Sequence, residues 1–160
     1  MTTIATDGVT IAGDGRSTNG WTIVSSCTKK IAVGVSENGR PAIFAITGVL
    51  GILPPLMEWV AGGRNGPPPE CKEAGGWALL IIDATGYRRI ESETPYPFEV
   101  ELPHAMGSGR DFAQAALDLG FGSVKAVQMA IARDAASGGE IQVIDIASVF
   151  AQPTLAMAAE

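Results

Sequence analysis

Histidine is almost missing from this chain of 160 residues: His104 stands alone. That scarcity excludes any two-histidine metal motif and makes a serine–histidine or cysteine–histidine mechanism depend on one side chain. Cysteine is equally sparse. Cys27 and Cys71 are too few for a metal cage or a disulfide framework, although one bridge between them stays open, and free thiols in a reducing cytoplasm are the simpler expectation. Charged residues reach 18% against about 25% in an average domain. Their balance, 11 Lys and Arg to 17 Asp and Glu, leaves a net charge of −6 with no basic run. The electrostatic footprint that nucleic-acid binding needs is therefore absent. A long apolar run is lacking too. The longest uncharged stretch, Pro41 to Met57, carries three prolines and two glycines, whereas a span needs about 20 apolar residues in unbroken helix, so no membrane association is expected. The opening Met1-Thr2-Thr3-Ile4-Ala5 has neither a basic n-region nor an apolar h-region, so no signal peptide is read there and the cytoplasm is the expected compartment.

What the chain does have is apolar surface. Hydrophobic residues make up 46% and 20 glycines add to them, more than the roughly 45–50% that an average domain reaches with glycine included. One core of this size has no use for so much, so neighbouring copies are expected to cover part of it, making a homo-oligomer. The length suits a single domain over residues 1–160.

Local patterns place strands first. Thr2 to Thr6 and Val9 to Ala12 flank Asp7-Gly8, a strong hairpin turn. Trp21 to Val24 and Lys30 to Val35 are β-like, and Asn38-Gly39 turns the latter into Ala42 to Ile46. Leu53, Leu56, Met57 and Val60 lie on one helical face, with Pro54 and Pro55 tolerable in the first turn, and Gly62 to Pro69 is a loop by composition. Trp77 to Asp83 and Tyr87 to Glu91 form another hairpin. Ser108 with Asp111 reads as a capping box for a helix from Gly109 to Leu119, and Ser123 as the cap of a second from Val124 to Ala136. Ile141 to Ile146 returns as a strand. These elements sum to an α+β layered domain.

Removal of Met1 would expose Thr2, which then holds a hydroxyl nucleophile and, on the same residue, an α-amine of ordinary pKa about 7.7–8.0 able to act as its base. A lysine ammonium nearby would lower that amine toward working pH. Lys29 and Lys30 open an apolar strand, so strict alternation turns one of them inward. A buried lysine needs a carboxylate, and Asp14, at the end of an apolar strand, can supply one.

Thr2-Thr3-Ile4, followed by Ile11-Ala12-Gly13-Asp14-Gly15-Arg16-Ser17-Thr18-Asn19-Gly20 and then Lys29-Lys30-Ile31, resembles the opening of proteasome β subunits and HslV-type peptidases. Thr47-Gly48, Met106-Gly107-Ser108-Gly109 and Arg133-Asp134-Ala135-Ala136-Ser137-Gly138-Gly139 resemble that family's later elements, in family order. The resemblance implies an N-terminal nucleophile hydrolase with a four-layer αββα sandwich, in which Thr2 is the nucleophile of a threonine-type peptidase. It implies Lys30 as the cationic tuner, Asp14 as the residue holding Lys30, and the Gly48 N–H as oxyanion donor. Ser108, Asp134 and Ser137 would support the Thr2 amine. Thr18 would pair with an extended, unfolded polypeptide, and Ile46 and Leu50 would line an apolar pocket beside the scissile bond. It further implies rings or stacked rings and an ATP-dependent unfoldase partner, with no cofactor and no metal. Two departures stand out: Gly48 is followed by Val49-Leu50-Gly51-Ile52 rather than by small residues and an aspartate, and Pro54, Pro55 and the 62–69 loop interrupt the expected helical pair. A non-catalytic assembly protein and a small-molecule amidohydrolase are the alternatives. Asp134, read as lying near a helix C-terminus, is expected to need a cation, and His104 is expected in an exposed loop.

Overall fold

A computed structural model describes residues 2–72 and 75–151. The removal of Met1 and the alanine-rich tail from 152 onward lie outside the described residues. The Asp7-Gly8 turn joins β1 (Thr3–Thr6) to β2 (Thr10–Gly13) as an antiparallel hairpin. β1 then pairs on its other side with β10 (His104–Gly107), and β2 with β11 (Gln142–Asp145), giving a four-stranded sheet of order β10-β1-β2-β11. The second sheet is five-stranded and antiparallel: β5 (Ile31–Val35), β6 (Pro41–Gly48), β7 (Trp77–Asp83), β8 (Gly86–Glu91) and β9 (Thr94–Glu99) in sequence order. A separate two-stranded hairpin, β3 (Ser17–Asn19) with β4 (Thr22–Ser25), leads from the first sheet to the second.

Period-two alternation assigns side chains to layers. On β6 and β7, Ile43, Ala45, Leu80 and Ile82 meet Ile4 and Ile11 between the two large sheets, joined by Ile146 and Val149 of α4 (Ile146–Phe150). The alternate residues Phe44, Ile46, Leu79 and Ile81 pack outward against Leu53, Leu56 and Val60 of α1 (Leu53–Ala61). Both central strands are thus buried on both faces, which is why Trp77 to Asp83 reads as an unbroken apolar run. On the first sheet's outer face an alanine-rich layer, Ala5, Ala12 and Ala105, lets α2 (Arg110–Asp118) and α3 (Ser123–Ile131) approach closely through Ala113, Ala116, Ala126 and Ala130.

This architecture corrects the expected four-layer αββα sandwich. The described residues form eleven strands in three antiparallel sheets with four short α-helices, none exceeding nine residues. Among the described residues the outer face of the five-stranded sheet carries one α-helix, α1, with Leu50, Ile52 and Cys71 packing beside it; after α1 the chain leaves helix at Gly62, and 62–72 is turn and irregular backbone. Pro54 and Pro55 do fit the first turn of α1, as expected. The segment that follows has Gly62, Gly63 and Gly66 and then Pro67, Pro68 and Pro69, which disfavour a second covering helix there.

Other expectations shift locally. Ser108 is not a helix cap: α2 begins after Gly109 and its hydroxyl bonds elsewhere. Ser123 is the first residue of α3, capped by no side chain of its own segment; Asp7 in the β1–β2 turn instead accepts the Ser123 N–H at 3.1 Å. α3 stops at Ile131, so Asp134 lies in a turn beyond it. His104 is half-buried in β10 opposite Thr6, not in an exposed loop. Cys27 and Cys71 are both free thiols. No described helix is long and apolar enough to cross a membrane.

Candidate functional site

The expected residues converge at one end of the interface between the two large sheets. Lys30 is turned inward and Lys29 is exposed, but not by strand alternation: β5 begins at Ile31, and Lys30 and Ile31 are both buried. Lys30 is completely buried, and its Nζ donates to Asp14 Oδ1 at 2.8 Å and to the Arg16 carbonyl at 2.6 Å. The same Asp14 Oδ1 accepts the Thr3 N–H at 2.8 Å, so one oxygen links the ammonium to the peptide that joins Thr2 to Thr3. Asp14 Oδ2 accepts the Gly138 N–H at 2.9 Å. Burial pulls the Lys30 pKa below its ordinary value of 10.5 despite the opposing hydrogen bond and charge of Asp14, and the Arg16 charge pulls the same way as burial.

On the other side of β1 is a cluster of hydroxyls around Asp134. Ser108 Oγ and Ser137 Oγ each donate to Asp134 Oδ2 at 2.6 Å, and the Ala136 N–H donates to Oδ1 at 3.1 Å. Ser137 has one proton and gives it to the carboxylate, so in the 2.6 Å contact between Thr3 Oγ1 and Ser137 Oγ the threonine is the donor. Burial raises the Asp134 pKa, but the hydrogen bonds from Ser108, Ser137 and Ala136 outweigh it and hold the carboxyl below 3.8. Hydroxyl and amide donors thus supply most of what a cation was expected to supply, and the positive charge of the amino terminus lowers the same pKa further.

Thr2 sits between these two groups. It is 1% exposed, its carbonyl accepts the Ser108 N–H at 2.8 Å, and its Oγ1 is buried with no hydrogen-bond partner among the described residues. Gly107 makes this approach possible. Its φ is 99°, and a Cβ there would lie 1.9 Å from the Thr2 carbonyl oxygen and 3.3 Å from Thr47 Cγ2. Thr47 therefore borders the same spot from β6, and Gly48 follows it at φ 90°, where a Cβ would meet the Gly76 carbonyl at 2.1 Å. Gly48 also lines an open cavity of about 480 Å³ together with Thr18, Asn19, Val24 and Leu50.

Thr2, Asp14, Lys30, Gly48, Ser108, Asp134 and Ser137 are thus gathered, and Thr18 and Leu50 share the adjoining cavity. Ile46 does not line it: this side chain is fully buried with Phe44 and Leu79 beneath α1, because its place in β6 alternates away from that of Thr47. Sequence reasoning passed over three residues that tie the site together. Thr3 joins both groups through its N–H and hydroxyl. Arg16 bridges to the 134–138 turn, its Nη1 donating to the Ala135 carbonyl at 2.9 Å. Gln142 Oε1 accepts the Lys30 and Ile31 N–H groups at 3.1 Å, and its Nε2 donates to the Ile31 carbonyl at 2.6 Å, tying β11 to the start of β5. Of the three, Arg16 alone carried a local signal, as a charge two residues from Asp14. No His, Cys, Asp or Glu grouping among the described residues could hold a metal.

No family's sequence pattern matches the chain, and no curated protein matches it either. Among solved structures, one described as Thiobacillus denitrificans BPH is similar, with a TM-score of 0.62 and 18% identity over 89% of this chain and 95% of that one. At that identity the likeness is one of fold.

Proposed function

We propose that the protein is a threonine-type peptidase whose nucleophile is Thr2, exposed by removal of Met1. The observation that carries this reading is the position of Thr2: a buried hydroxyl without a partner, between a fully buried lysine–aspartate pair and an aspartate holding two serine hydroxyls. An isolated buried ion pair is a weak stability device, since desolvation offsets most of its attraction. Its presence beside an unpaired hydroxyl is accounted for by chemistry.

In this mechanism the freed Thr2 amine takes the proton from Oγ1 as the oxygen attacks a peptide carbonyl. The developing oxyanion is met by the Gly48 N–H, and the leaving amine receives the proton from the Thr2 ammonium. A water, deprotonated by the same amine, then hydrolyses the ester formed on Thr2. Lys30 lowers the amine's affinity for its proton by like-charge repulsion. Asp14 holds Lys30, and Ser108, Asp134 and Ser137 orient the amine. A substrate strand lies in the cavity between Thr18 and Gly48, by strand addition to β3, which favours extended polypeptide. Leu50 gives that cavity an apolar wall.

The fold likeness carries none of this chemistry; the motifs and their convergence do. The exposed apolar residues, among them Trp21 at 98%, Tyr96 at 77% and Leu119 at 75%, support assembly of several copies, with rings or stacked rings and an ATP-dependent unfoldase as the form the motif resemblance suggests. The deciding experiment pairs intact mass with hydrolysis of fluorogenic peptides. Loss of one methionine with turnover in the wild type and none in Thr2→Ala is the expected result. Equal turnover in Thr2→Ala would remove the mechanism.

A further inference from the structure

Arg16 belongs to neither the Lys30–Asp14 pair nor the Asp134 cluster, yet it touches both. Its carbonyl receives the Lys30 ammonium at 2.6 Å, and its own N–H donates to Asp14 Oδ2 at 3.2 Å. Its guanidinium reaches across to the turn after α3, where Nη1 donates to the Ala135 carbonyl at 2.9 Å. There it covers Gly138 so closely that a Cβ on that residue would lie 2.4 Å from both Cζ and Nη2 and 2.6 Å from Nε. Gly138 is not among the positive-φ glycines, so the guanidinium, not backbone strain, is what bars a side chain at that position. The backbone continues the join: the Gly15 N–H donates to the Gly138 carbonyl at 2.9 Å. Arg16 Nε is buried without a hydrogen-bond partner among the described residues, so packing on Gly138 helps to hold the group's plane.

We propose that Arg16 is a positioning residue, whose guanidinium clamps the 134–138 turn and thereby sets Asp134 and Ser137 in register with the Lys30–Asp14 pair. This rests on the reading of Thr2 as the catalytic centre. The clamp needs a planar group that can lie flat on Gly138 and still donate sideways to Ala135; a lysine ammonium cannot do both. Two charged groups that face the Lys30 ammonium, Asp14 and Arg16, pull it in opposite directions, so Arg16 contributes charge as well as contact.

A double-mutant cycle tests the proposal. Arg16→Ala is expected to lower kcat on the order of 10²-fold with KM little changed, the loss typical of a misplaced site. Gly138→Ala, which drives the guanidinium off its seat, should cause a similar loss alone and less than a twofold further loss in the Arg16→Ala background. Additive losses would overturn the clamp. A readout independent of turnover is the titration of Lys30 by ¹⁵Nζ NMR, assigned among Lys29, Lys30, Lys72 and Lys125. It should move upward in Arg16→Ala, and an unmoved titration overturns the proposal. Should Arg16→Ala fail to fold, Arg16→Lys carries the test: wild-type kcat in that variant refutes the planar clamp. An inactive wild type with Lys30 titration dependent on Arg16 would refute the peptidase reading and leave the Lys30 coupling in place.

Discussion

Lys30 and Asp14 show how a single residue pair divides stability from function. Both side chains are fully buried, and taking away one partner strands the other as an uncompensated charge. Asp14→Ala is therefore expected to destabilise the fold by about 3–5 kcal/mol in urea titration. Peptide turnover should be lost with Lys30→Ala and not be rescued by Lys30→Arg, because the compact ammonium donates to Asp14 and the Arg16 carbonyl within a pocket that a planar fork does not fit. Hydrolysis at the wild-type rate in Lys30→Arg would remove the point-charge argument. The pairing of Asp14 with Lys30 was legible from charge beside apolar strands, whereas the donor direction from Thr3 through Ser137 to Asp134 was not, since it crosses 134 positions of sequence.

At the scale of elements, α3 depends on a residue far from it in the chain. Its first N–H groups have no local side-chain cap, and the Asp7 carboxylate receives the Ser123 N–H while also accepting the Val9 and Thr10 N–H groups that close the β1–β2 turn. A negative charge at a helix N-terminus is favourable in itself. Asp7→Ala should cost about 0.5–2 kcal/mol by chemical denaturation, and Asp7→Asn less, since the amide oxygen still accepts. An equal loss in the two variants would mean that charge, not hydrogen bonding, holds the junction. Helices α1 to α3 and the three hairpins around Asp7-Gly8, Asn38-Gly39 and Ala84-Thr85-Gly86 were readable from periodicity and turn chemistry. β9 was not: Pro95 and Pro97 argue against a strand, and are accommodated because β9 is the outermost strand of its sheet. β10 and α4 are so short that no period can establish them.

Across the whole molecule, acid should act through several carboxylates at once. Burial is the largest single influence on Asp7, Asp83, Glu37 and Asp134 and raises each pKa, but several hydrogen bonds together and, for Glu37 and Asp83, neighbouring arginine charge leave all four below their ordinary 3.8 or 4.5. A carboxyl with a lowered folded pKa binds fewer protons folded than unfolded. Its stabilisation is therefore present above the ordinary value and is lost as pH falls through the folded one. The melting temperature is expected to fall most steeply below pH 4, a range set by those ordinary values, with a shallower loss beginning below about pH 6.5 from His104, whose pKa burial and then the Arg89 charge hold below its ordinary 6.5. Arg88, which pairs with both Glu37 and Asp83, links the β5–β6 turn to the end of β7. Arg88→Met should therefore flatten the acid limb. An unchanged acid limb in that variant would count against the network.

By itself the sequence determined the hairpins and the buried strands, because each is written in alternation or turn chemistry within a few residues; the candidate site positions came from the chemistry of Thr2, the need of a buried lysine for a carboxylate, and a motif resemblance. Only the tertiary structure decided how completely helices cover the sheets, that Ile46 lies under α1 while Leu50 borders the cavity, and that Arg16, Thr3 and Gln142 tie the site together. The last of these depends on contacts between segments more than 100 residues apart. Local propensity carries no information about such distances, and packing alone selects among the arrangements it permits.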